Sequence, residues 1–217
     1  MANKKFYAQS VLNELSNDIL NRDFHIDERE VFFQLDRIVN ELGRKSYFEN
    51  WQLSGALLDE SFITTWDEDN AIRVVDEEDQ YSYLELPADP MDLPRGAGIQ
   101  EIFPMERGEY NQSVVIVSHA DVRLYQNQKA GNMQAKLWGY RKGNRFYFGE
   151  DNVGGKFGEY FGVRLAIRDS SFISLTANYP IPADKQHAVV SLCVQWFRNR
   201  LGIGSDKVRD GNLVNTP

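Results

Sequence analysis

The residues of this chain with chemistry to offer are three histidines, one cysteine and several runs of acids. His25, His119 and His187 lie far apart, and no pair has the His-x-x-x-His spacing that puts two imidazoles on one helix face for a metal. His119-Ala120-Asp121 reads as local capping ahead of a short helix. Cys193 has no second cysteine for a disulfide or a thiolate metal site. Gly154-Gly155-Lys156 fails as a phosphate loop twice: Phe157 stands where a magnesium-binding hydroxyl is needed, and Glu150 where the first glycine is needed. A mobile glycine-rich loop over Gly149 to Gly162 is the expectation. Two acidic runs, Asp67-Glu68-Asp69-Asn70 and Asp76-Glu77-Glu78-Asp79, could ligate calcium through oxygen, but adjacent carboxylates cannot converge on one ion. They are expected to be solvated hairpin loops. Asp67, Glu68, Asp69, Asp76, Glu77, Glu78 and Asp79 then form an acidic surface that attracts a basic partner or repels DNA.

No Gly-x-Ser-x-Gly elbow is present. Paired carboxylates for glycoside hydrolysis need only meet in space, and the sequence selects no pair. Trp138, Tyr140, Phe146, Tyr147 and Phe148 interleave with Arg141, Lys142 and Arg145, as in a single-strand stacking platform. Alternation on a strand more often means core plus cross-strand pairs, which is the reading adopted. No catalytic, cofactor-binding or metal site is assigned, no cofactor is expected, and the chain is expected not to be an enzyme.

The elements that must position these residues follow from patterning. At 42% hydrophobic and 26% charged, the 217 residues can bury a real core. No run is long and apolar enough for a membrane helix, and MANKKFYAQS lacks a signal-peptide core, so intracellular synthesis is expected. Between Asp59 and Asp79 lie nine acids and one base, so this segment carries the whole excess of −8. The remainder is balanced and offers no broad basic footprint for nucleic acid.

Apolar spacing predicts helices over 4–20 and from Asp27, whose carboxylate and Glu30 have capping-box spacing, to a glycine cap at Gly43. Phe32, Leu35, Val39 and Leu42 form the stripe of the second helix, broadened by Val31, Phe33 and Ile38. The two form an N-terminal helical pair over 1–50. A central β domain over 51–180 follows, a mostly antiparallel sandwich or barrel. Its expected strands include a hairpin of 62–66 with 71–75 around the acidic loop, a strand over 81–86 and a buried strand over 114–117. A short helix over 120–128, a hairpin of 137–141 with 145–148, and strands over 161–168 and 171–177 complete it. The proline-rich stretch 87–104 is expected to be a loop over the core rather than a helix or inner strand. A C-terminal helix over 181–202 buries Val189, Leu192, Cys193, Trp196 and Phe197. The tail 203–217 is either free or an arm ordered on a neighbour, with Val208, Arg209, Leu213 and Val214 as its contact residues. The fold class is α+β.

The order DEREVFFQLDRIVNELGRKSYFENW, YSYLELPADPMDLPRGAGIQEIFP, YRKGNRFYF and YPIPADKQHAVVSLCVQWF resembles virion structural proteins of tailed bacteriophages. In particular it resembles neck or ring proteins of the crAss-like phages of gut Bacteroidetes. The resemblance implies a non-enzymatic head-to-tail adaptor in the virion neck or tail, assembled in the host bacterial cytoplasm. Such adaptors stack as homo-oligomeric rings, often dodecameric, against the portal protein and adjacent tail proteins. DNA passes through them without sequence-specific binding, and no membrane is involved. A phage-borne receptor- or carbohydrate-binding β module is the alternative.

Overall fold

The computed structural model describes residues 3–18, 26–54, 58–76, 81–106, 113–127, 137–150, 152–168 and 178–202. In chain order the helices are α1 (Lys4–Asp18), α2 (Glu28–Ser54), α3 (Val122–Asn127), α4 (Val153–Phe157) and α5 (Gln186–Arg200). The strands are β1 (Ile63–Trp66), β2 (Ile72–Val75), β3 (Tyr83–Glu85), β4 (Ile99–Pro104), β5 (Val115–Ile116), β6 (Trp138–Lys142), β7 (Arg145–Phe148) and β8 (Tyr160–Ala166). The fold is α+β: N-terminal helices, a curled mixed sheet forming a half-barrel, and a C-terminal helix. The chain divides into a helical unit drawn from 1–39, 175–179 and 183–217, and a sheet unit drawn from 40–174 and 180–182.

In the helical unit, α1 packs against α5. Asp27 caps α2 by accepting from the Arg29 amide at 2.9 Å, which satisfies one of the free N–H groups of a helix start. The Glu30 carboxylate pairs with Arg200 at the end of α5. Tyr7, Ala8, Val11 and Leu15 of α1, Val31, Leu35, Ile38 and Val39 of α2, and Val189, Val190, Cys193, Val194 and Phe197 of α5 are buried.

In the sheet unit, β8 is the organising strand. β4 pairs along residues 161–165 of β8, while β1 pairs with 163–166 and β2 with 160–161, all antiparallel. A strand has two edges, so β1 and β2 must share the edge that β4 leaves open. From β2 the sheet continues through β3, β7 and β6 to β5, antiparallel except for the parallel β5–β6 pair. The curl brings the Val114 amide, just before β5, back to the Ile102 carbonyl of β4 at 2.7 Å. Inside it lie Leu84, Ile102, Phe146, Phe148, Phe161, Val163 and Leu165, all fully buried. Each such side chain contributes roughly 1.5–3 kcal/mol by leaving water.

Several expectations are corrected. β1 and β2 do not form a hairpin with each other. Trp66 pairs with Val163 and Ile72 with Phe161, so five residues of the chain stand opposite Gly162 alone. The acidic segment is therefore a large bulge in one interrupted strand. Residues 99–104 are strand β4 rather than loop: the stretch between Gly98 and Pro104 holds no proline, and Pro104 closes the strand. α2 runs through Gly43, which is needed for close approach, since a Cβ there would lie 2.9 Å from Met91 Cε. Phe33 is 70% exposed instead of joining the stripe, and Leu192 is exposed while Val190 and Val194 take its place. The expected strand over 171–177 and the tail, with Val208, Arg209, Leu213 and Val214, lie outside the described residues.

Candidate functional site

The acidic bulge holds Asp67, Glu68 and Asp69, all exposed, in a short 3-10 turn. The Asn70 amide donates to the Asp67 carbonyl at 2.8 Å, and Glu68 adopts φ 41°, a left-handed conformation uncommon outside glycine. The flanking strands on β8 hold the bulge at both ends.

Asp76 is exposed, as expected, and it also ties three segments together. Its carboxylate accepts from the Ser82 hydroxyl and, at 3.1 Å, from the Gly154 amide, while the Ser82 oxygen accepts from the Val153 amide at 3.0 Å. One carboxylate thus joins the end of β2, the approach to β3 and the start of α4. The glycine-rich stretch, expected to be a loop, is helical over Val153–Phe157, and its first two amides bond Ser82 and Asp76. A Cβ on Gly154 would meet Asp76 Oδ2 at 2.6 Å and Val74 Cγ1 at 2.8 Å. Glu77, Glu78 and Asp79 lie outside the described residues.

The aromatic hairpin sorts its rings by strand alternation. Phe146 and Phe148 face the core. On the other face Tyr83, Tyr147 and Tyr140 stand directly opposite one another across β3, β7 and β6, with ring centroids 5.6 and 5.8 Å apart. His119 meets Tyr140 edge-on at 5.5 Å, and the Arg145 guanidinium sits 4.4 Å above Tyr83 while bonding Glu85 at 3.1 Å. Burial, followed by the neighbouring Tyr147 and Tyr81, pushes the Tyr140 hydroxyl above its ordinary pKa. A hydrogen bond with Tyr147 leads the effects that raise Arg145. Cross-strand pairing was the sequence expectation here. This tyrosine row, buried at Tyr83 and half-buried at Tyr140 and Tyr147, and its ion pair become visible only once register places β3 beside β7.

A buried polar cluster went unnoticed in the sequence. Lys4 Nζ bonds Asp36 Oδ2 at 2.7 Å, and Tyr179 donates to Asp36 Oδ1 at 2.6 Å. Lys4 also lies over the Phe32 and Tyr179 rings, at 5.2 and 5.7 Å. With 9% and 13% of their side chains exposed, Lys4 and Asp36 are a charge pair held inside the helical unit. Its helical spacing gave no hint, because Lys4 and Asp36 come from different helices.

Among the described residues no group of three His, Cys, Asp or Glu side chains is arranged to hold a metal ion, and no helix is long and apolar enough to cross a membrane. His187 Nδ1 lies 3.3 Å from Ser191 Oγ within α5, and His25 is outside the described residues. Comparison of the chain with protein-family models and with curated proteins finds no match.

Proposed function

We propose that this chain is a structural subunit of a tailed-phage virion, forming a ring in the neck or tail that joins portal to tail and lets DNA pass. The sequence resemblance motivates the reading. The structural observation that supports it is the set of large aromatics turned outward on helices: Phe33 at 70% exposure, Phe6 at 55% and Phe48 at 50%, with Trp51 stacked beside Phe48. Aromatic side chains are enriched where proteins meet, and the exposed, stacked Phe48–Trp51 pair is the kind of surface a neighbour covers. An acidic excess would also keep DNA from adhering during passage. Negative-stain imaging of the full chain mixed with the portal protein of its phage tests this. Rings seated on the portal are expected, and a chain that never associates with the portal sinks the reading.

The tyrosine row favours a second reading, a binding module with a β-rich domain. Tyr81 is 46% exposed near that row, and tyrosine supplies rigid contact area at low entropic cost. A monomeric or trimeric state in solution would favour this alternative.

A further inference from the structure

Among the described residues, β1 is hydrogen-bonded along one edge only. Its register partners, Ala166 to Val163, all belong to β8, and no other described strand pairs with it. None of its four residues is buried, and Thr65 is exposed. An open strand edge presents a row of backbone donors and acceptors to any extended chain that reaches it. Both ends of this edge are acidic. Asp59 and Glu60 precede it, the latter bound to Arg164, and Asp67, Glu68 and Asp69 follow it with no ion pair among the described residues.

We propose that the free edge of β1 is a strand-addition site for an extended, lysine- or arginine-bearing segment of a partner protein. Backbone bonding to Ile63–Trp66 supplies the affinity, and the flanking carboxylates supply the selection. The same charges repel the corresponding edge of another copy, and a strand this short offers little to a non-complementary chain. Selection against self-pairing and selection for a basic segment are thus two effects of one arrangement. The site does not depend on the ring reading, because a binding module would use the edge in the same way.

The test is hydrogen exchange of the full chain with a short synthetic peptide alternating lysine and valine. The same peptide with glutamate in place of lysine is the control. The lysine peptide is expected to slow exchange at residues 63–66, and the glutamate peptide to leave it unchanged. The triple variant Asp67→Asn, Glu68→Gln, Asp69→Asn alters only exposed side chains and is expected to bind the lysine peptide roughly tenfold more weakly. Three results each overturn the proposal. One is no protection of 63–66 at saturating lysine peptide, and another is equal protection by the glutamate peptide. The third is peptide-free protection that grows with protein concentration, which would assign the edge to a second copy.

Discussion

Gly154 and Cys193 show how far single residues constrain this fold. At Gly154 the Asp76 carboxylate and the Val74 methyl leave no room for a side chain. Gly154→Ala is expected to lower stability by roughly 1–3 kcal/mol, read from urea unfolding, because the clamp must open to admit the methyl group. The sequence marked this glycine only as part of a failed phosphate loop. The reason it is glycine lies on β2, more than seventy residues earlier. Cys193 was placed correctly on the packed face of α5, since a 3.6-residue period makes that position legible. Burial pushes its thiol up to about 12 from an ordinary value near 9. A raised pKa in the folded state means the stabilising contribution is complete below about pH 9 and is lost as pH climbs through 12. Wild type should therefore lose stability over that window more steeply than Cys193→Ala. The thiol should resist alkylation at neutral pH until the chain unfolds.

At the scale of elements, local signals were readable and distant ones were not. The Asp27 cap and the β6–β7 hairpin are written within a few residues, and the structure contains both. The apparent β1–β2 hairpin failed because two strand-like runs around a short polar loop look the same whether they pair with each other or with a third strand. β8, about a hundred residues away, takes both and ejects the acidic segment. The pairing makes a sharp prediction. Removing Asp67 to Asn70 should bring Ala71 opposite Gly162 and leave one continuous strand on β8. Such a chain should fold, with stability by thermal unfolding equal to or above that of wild type, whereas a true hairpin would lose its turn and be strongly destabilised. The Lys4–Asp36 pair was invisible for the same reason: it joins α1 to α2 with Tyr179 from just ahead of α5. Lys4→Met alone leaves a carboxylate buried without its cation and should cost roughly 3 kcal/mol in chemical unfolding, while Lys4→Met with Asp36→Leu should recover much of that loss. Equal losses for the single and double variants would show that packing, rather than charge pairing, holds this site.

For the whole molecule, the helical and sheet units each have their own buried side chains, and Phe6, Phe33, Phe48 and Trp51 are exposed on helices. The α+β class was legible because a long central stretch of strand-like runs is framed by helical patterns. The candidate interface was legible only in part, because the sequence signals that Phe33 and Phe48 are apolar but not that they face outward. Assembly into a closed ring is the central claim, and the mass of the full chain in solution tests it most directly. Measured by native mass spectrometry across a range of concentrations, with and without the portal protein, the account predicts a single closed multiple of the 25.0 kDa chain, formed alone or on the portal. A chain that stays monomeric at every concentration and gains no mass with the portal would contradict it.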